Sequence, residues 1–152
     1  KEKNWITTVL QQINMKKEVK EAIKTAKLAY NYAKDVFKGL DHEELWVLFL
    51  NNRCNPIALE KMTMGGWTST VIDFRQIFAT CLQHKATGMI LYHNHLSGSS
   101  LPSLNDIQRT RDLQQICKIF EIRLIDHIII SDREYYSFTD ELTTEIRNGK
   151  RK

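Results

Sequence analysis

Residues 88–106 read Gly-Met-Ile-Leu-Tyr-His-Asn-His-Leu-Ser-Gly-Ser-Ser-Leu-Pro-Ser-Leu-Asn-Asp, and they predict a buried strand, a tight loop and the start of a helix. The apolar run Met89 to Tyr92 forms the strand, which ends in His93-Asn94-His95. Side chains alternate across a strand, so histidines at i and i+2 point to the same side. A loop of Ser, Gly and Pro follows, and Ser103-Leu-Asn-Asp106 opens a helical pattern. Two imidazoles at a strand end and a carboxylate at a helix start form a three-ligand metal set. Three protein ligands leave a fourth tetrahedral position for water, the layout of a catalytic zinc site. Asp106 also has a purely structural reading. With Ser103 as N-cap it is the N3 acid of a capping-box-like start, where a carboxylate suits the helix dipole.

His93-x-His95, ten residues and then Asp106, with Ser103 three before the acid, resembles the JAMM motif of the JAB/MPN metalloprotease superfamily. Within it, His-Asn-His-x-Ser-Gly…Pro-Ser-x-x-Asp is similar to the RadC branch, bacterial proteins long labelled DNA repair. The likeness runs from about Glu43 to Leu142, roughly two thirds of the chain. It implies a single α/β JAB/MPN-like domain. Such a domain has a central mixed sheet flanked by helices, in a cytidine-deaminase-like architecture. It also implies Zn2+ held by His93, His95 and Asp106, although iron or manganese accepts similar ligands. The family places a general-base Glu just before the first core strand, where Glu43 and Glu44 stand side by side. Setting Val47–Leu50 against the family's strand favours Glu43. The resemblance further makes the Ser103 hydroxyl an oxyanion donor, while local physics makes it a helix cap. Leu96 stands where the superfamily usually has Pro, which would stiffen the loop as it leaves the ligand.

Outward from this stretch the chain alternates strand and helix patterns, as one α/β domain requires. Upstream, Trp5, Val9 and Ile13 suggest a short helix over 4–14. Val19, Ile23, Ala26, Tyr30, Ala33 and Phe37 form a helical stripe over Lys16–Lys38. The stripe can pack on the domain's own sheet or against a second copy in a dimer, and the first is favoured. Gly39 ends that helix. Leu45–Leu50 is a buried strand, and Ile57–Met64 is its hairpin partner across the turn residues 51–56. Trp67–Ile72 is another extended piece. Asp73 caps a helix that buries Phe74, Ile77, Phe78, Cys81 and Leu82.

Downstream, the helix from Ser103 to about Phe120 buries Leu104, Ile107, Thr110, Leu113, Cys117 and Phe120. Leu124–Ser131 is a strand, Tyr135–Phe138 is its hairpin partner, and 140–148 is a short helix. Asp126-His127 inside the strand reads as a buried, hydrogen-bonded structural pair, with a role behind the metal ligands or at the substrate as the other reading. His42 is expected exposed, and His84 at a helix C-terminus. The expected division is an N-terminal helical segment at 1–39, the RadC-type domain at 40–148 and a basic tail at 149–152 that is expected to be disordered.

At 152 residues the chain fits one core. No apolar run approaches the roughly 20 residues of a membrane span, and no apolar core follows the start Lys-Glu-Lys-Asn-Trp, as a signal peptide requires. The chain begins at Lys1, as a fragment of a longer protein would. Three cysteines, Cys54, Cys81 and Cys117, are odd in number and widely spaced. They argue against a disulfide framework and suit a reducing cytoplasm. The net charge of +4 permits nucleic-acid contact without demanding it. Three functions compete. A zinc-dependent peptidase or isopeptidase acting on a peptide or protein leads. A DNA-associated factor and a non-catalytic interaction module on the same fold follow.

Overall fold

The computed structural model describes Ile6 and residues 20–62 and 72–141. Its strands are β1 (Leu45–Leu50), β2 (Pro56–Met62), β3 (Gly88–Asn94), β4 (Arg123–Ile130) and β5 (Tyr135–Ser137), in one sheet of order β2-β1-β3-β4-β5. Helices α1 (Ala26–Ala33), α2 (Phe74–Gln83) and α3 (Leu104–Ile119) flank it. β3 is central and buried along its whole length. It runs antiparallel to β1, with Leu45 opposite His93, and parallel to β4. A parallel pair needs a crossover connection, and α3 supplies it. The expected α/β domain with a mixed sheet is therefore observed.

Alternation along the strands sorts the core into two layers. Leu45, Val47, Phe49, Met89 and Leu91 pack with Ile77, Phe78 and Cys81 of α2 and with Leu113 and Cys117 of α3. Leu48, Leu50, Ile90, Tyr92, Ile128 and Ile130 face α1 instead. Ala26, Ala29 and Ala33 of α1, with Phe37, are buried there, so the α1 stripe packs on the chain's own sheet. The Tyr92 hydroxyl donates to the Ala29 carbonyl at 2.9 Å, tying α1 to the sheet. One irregularity interrupts the parallel ladder: Met89 pairs with Leu124 but Ile90 with Asp126, leaving Ile125 as an extra residue in β4. The strand shifts phase at this bulge, so that His127 lies opposite Leu91.

Several sequence expectations are corrected. The α1 helix does not begin at Lys16. Thr25 caps it, its hydroxyl accepting from the Leu28 N–H. Residues 20–24 are instead tied to the β1–β2 turn, Ile23 N–H donating to the Cys54 carbonyl and the Asn55 amide to the Lys20 carbonyl. The last turn tightens to a 3-10 helix at Lys34–Phe37, and Gly39, at φ +71°, ends it as expected. Leu82, Leu104 and Phe120 are exposed rather than buried. Leu82 flanks the Ile77–Cys81 stripe and Leu104 is the first residue of α3. Phe120 lies past the end of α3, where it stacks on Phe78 at 5.1 Å. The expected helix at 4–14, Val19, the extended piece at 67–71, and residues 142–152 lie outside the described residues. Among the described residues, no helix is long and apolar enough to cross a membrane.

Candidate metal centre

His93 follows Met89 and Leu91 on the face of β3 that looks toward α3, and Asp106 lies in the first turn of that helix. The loop 95–103 closes the two ends together. His93 Nε2 and His95 Nε2 are 3.0 Å apart, His95 Nε2 and Asp106 Oδ2 3.1 Å, and His93 Nε2 and Asp106 Oδ1 3.2 Å. Three donors at zinc bonding distance in a tetrahedral shell stand roughly 3.3 Å from one another. The three side chains thus fit one face of such a shell, and they form the group of described residues able to hold a metal ion.

The protonation pattern supports the same fit. His95 Nδ1 lies 3.2 Å from the Ser99 carbonyl. A carbonyl only accepts, so Nδ1 carries the proton and Nε2 turns its lone pair toward His93 and Asp106. Burial opposes charge on Asp106. Its contacts with His93 and with Ser103 outweigh that and hold the carboxyl well below the usual carboxylate range. Asp106 Oδ2 accepts from the Ser103 N–H at 2.8 Å, and Ser103 Oγ accepts from the Asp106 N–H at 3.1 Å. This reciprocal capping box is the structural reading of the pair, and it coexists with the ligand geometry rather than excluding it. With Leu96 in place of a proline, hydrogen bonds hold the loop. His95 N–H donates to the Ile130 carbonyl at 2.9 Å, and Ser100 N–H donates to Glu134 Oε1 at 3.1 Å.

Two glutamates, Glu43 and Glu44, precede β1. Glu44 is 6% exposed, with its carboxylate beside the Trp46 indole N–H, Lys61 Nζ and His42 Nε2. It belongs to the face away from His93. Glu43 lies two residues before Leu45, which pairs with His93, and is half-buried. His42 is exposed as expected, and the Asp41 carboxylate raises its pKa. His84 ends α2 and pairs with Glu60 at 3.1 Å.

Asn94 was not singled out from the sequence. Its Oδ1 accepts from the Glu44 N–H at 2.7 Å and its Nδ2 donates to the His42 carbonyl at 3.0 Å, bracketing Glu43. A buried amide between two histidines has to find such partners, and that is the signal the sequence carried. Thr110 was expected only as part of an apolar stripe. The Asp126–His127 pair also differs from its simplest reading. Asp126 Oδ1 accepts from the His127 backbone N–H at 2.7 Å, and Oδ2 from the Ser137 hydroxyl at 2.6 Å. The His127 imidazole turns the other way. Its Nε2 lies 2.8 Å from His93 Nδ1 and its Nδ1 lies 2.7 Å from Thr110 Oγ1. Burial pushes the pKa of this imidazole well below the ordinary value.

A family model described as a RadC-like JAB domain matches residues 23–143. The chain belongs to the RadC-like JAB domain family. Among similar RadC-like proteins, a UPF0758 protein of Flavobacterium johnsoniae is 40% identical over 119 residues, which are 78% of this chain and 52% of that protein. A UPF0758 protein of Porphyromonas gingivalis is 39% identical over 123 residues, 80% of this chain and 54% of its own length. One from Chlorobaculum parvum is 33% identical over 130 residues, 86% and 59% respectively. The chain spans about half the length of the RadC-like relatives it matches.

Proposed function

We propose that the protein is a zinc-dependent metallohydrolase acting on a peptide or isopeptide bond of a peptide or protein substrate. The observation that carries this reading is the convergence of His93, His95 and Asp106, with the His95 tautomer set by the Ser99 carbonyl. Membership in a JAB domain family supports it. A zinc ion held by these three residues would supply a Lewis acid that acidifies water and polarises a carbonyl. Glu43 takes the proton of the attacking water and returns it to the leaving amine, as general base and then acid. Glu44 is unsuited to that role because its carboxylate is engaged by Trp46, Lys61 and His42. Ser103 caps α3 through a lone pair of Oγ, which leaves its hydroxyl hydrogen available to an oxyanion.

Elemental analysis of the wild type and of His93→Ala tests the proposal. About one zinc per chain, the stoichiometry of a mononuclear site, with a large loss in the variant, is the expected result. A wild type that remains metal-free after zinc is supplied refutes it.

A further inference from the structure

Behind the metal group, the His127 ring is 1% exposed and Phe138 stacks flat against it, with centroids 4.8 Å apart and planes at 3°. Both ring nitrogens are engaged, Nε2 with His93 and Nδ1 with Thr110. Thr110 Oγ1 also lies 2.7 Å from the carbonyl oxygen of Asp106. A neutral imidazole has one N–H and one lone pair, so this chain of contacts can run in only two directions.

In one direction, Thr110 O–H donates to His127 Nδ1 and His127 Nε2–H donates to His93 Nδ1. His93 then carries its proton on Nε2, pointing at Asp106 Oδ1, and cannot ligate. In the other direction, His93 Nδ1–H donates to His127 Nε2, His127 Nδ1–H donates to Thr110 Oγ1, and Thr110 O–H donates to the Asp106 carbonyl. Each hydrogen in this second chain is used once, and the Nε2 lone pair of His93 is left facing His95 and Asp106. The chain begins on one proposed ligand and ends on the backbone of another.

We propose that His127 and Thr110 are positioning residues that hold His93 in the tautomer whose Nε2 binds the metal. The inference rests on the metal reading above and extends it to residues that touch neither metal nor substrate. Histidine ligands ordinarily lean on a carboxylate, a carbonyl or water; here a second, buried histidine takes that place.

The test is zinc affinity of the full chain, by competition with a chromophoric chelator, for wild type, His127→Phe, Thr110→Val and Thr110→Ser. Unfolding curves are measured in parallel. Losing a partner behind a ligand costs about 10–100-fold in affinity, expected for His127→Phe and Thr110→Val, while Thr110→Ser keeps the hydroxyl and recovers wild-type binding. Long-range proton–nitrogen NMR of the zinc-loaded wild type should show His127 protonated at Nδ1 and bare at Nε2. The opposite tautomer overturns the proposal, as does wild-type affinity in a folded Thr110→Val. If His127→Phe does not fold, the Thr110 pair and the tautomer decide. A folded wild type without zinc affinity instead removes the metal reading itself, which separates the two failures.

Discussion

Replacing Asn94 with alanine should loosen the entry to β1 while leaving metal binding intact. The Asn94 side chain is 5% exposed and bridges two backbone groups, the Glu44 N–H at 2.7 Å and the His42 carbonyl at 3.0 Å. Each such hydrogen bond contributes about 0.5–1.5 kcal/mol net, and a buried N–H left without an acceptor costs about 1–3 kcal/mol. The Glu44 N–H is the buried partner, whereas the His42 carbonyl can reach water. The two losses together come to about 1.5–4.5 kcal/mol. Urea unfolding of Asn94→Ala should therefore show a lower midpoint at an unchanged slope. Zinc affinity of the folded variant should match the wild type, because Asn94 points to the face away from His93 and His95. An unfolding free energy within about 0.5 kcal/mol of wild type, the range of an ordinary surface substitution, would refute the clamp. A parallel fall in zinc affinity would refute the separation of the two faces.

Further outcomes follow from the same geometry. Glu43→Gln should lower hydrolysis by about 10²–10⁴-fold, the usual contribution of a general base, with zinc content unchanged. Glu44→Gln should instead act on stability; equal activity losses in the two variants would count against Glu43. Ser103→Ala should cost about 1 kcal/mol of stability through the cap and about 10²–10³-fold in turnover through the lost oxyanion donor. A loss of stability alone would leave Ser103 as a cap. Burial raises the Asp126 pKa, against hydrogen bonds from Ser137, Thr139 and His127 that lower it. A carboxyl whose folded pKa is raised stabilises fully below its unfolded pKa, and that stability is lost as pH rises through the folded pKa. The wild type should therefore lose stability relative to Asp126→Asn as pH climbs from about 4 toward neutrality. Urea midpoints of the two proteins across that range check it, and a constant difference refutes it.

Local patterns were enough for the central strand, its flanking β1 and the ligand trio. A buried strand ending in His-x-His fixes which side both imidazoles take, and the Ser103 cap fixes where α3 starts. The Lys16–Lys38 stripe misled at its front end. Periodicity measures which residues share a face, and Ile23 shares that face from a non-helical segment held by Cys54 and Asn55. Exposure of Leu104 and Phe120 was equally hidden, since a helix pattern does not say how far the helix overhangs the sheet. His127 was the hardest to place. Its partners, His93 and Thr110, depend on the register of a parallel ladder formed across a long crossover, and no local spacing encodes that register.

The extra residue in β4 gives the strand slack. On both sides of Ile125 the strand keeps step with β3, Leu124 lying opposite Met89 and Asp126 opposite Ile90. A substitution at Ile125 alters only packing, and deleting it would close the bulge while Leu124, Asp126 and His127 stay opposite Met89, Ile90 and Leu91, so that His127 still faces α3. The bulge therefore acts as a splice: it takes up one residue of β4, and the pairing of Leu91 with His127 is what keeps an imidazole behind His93.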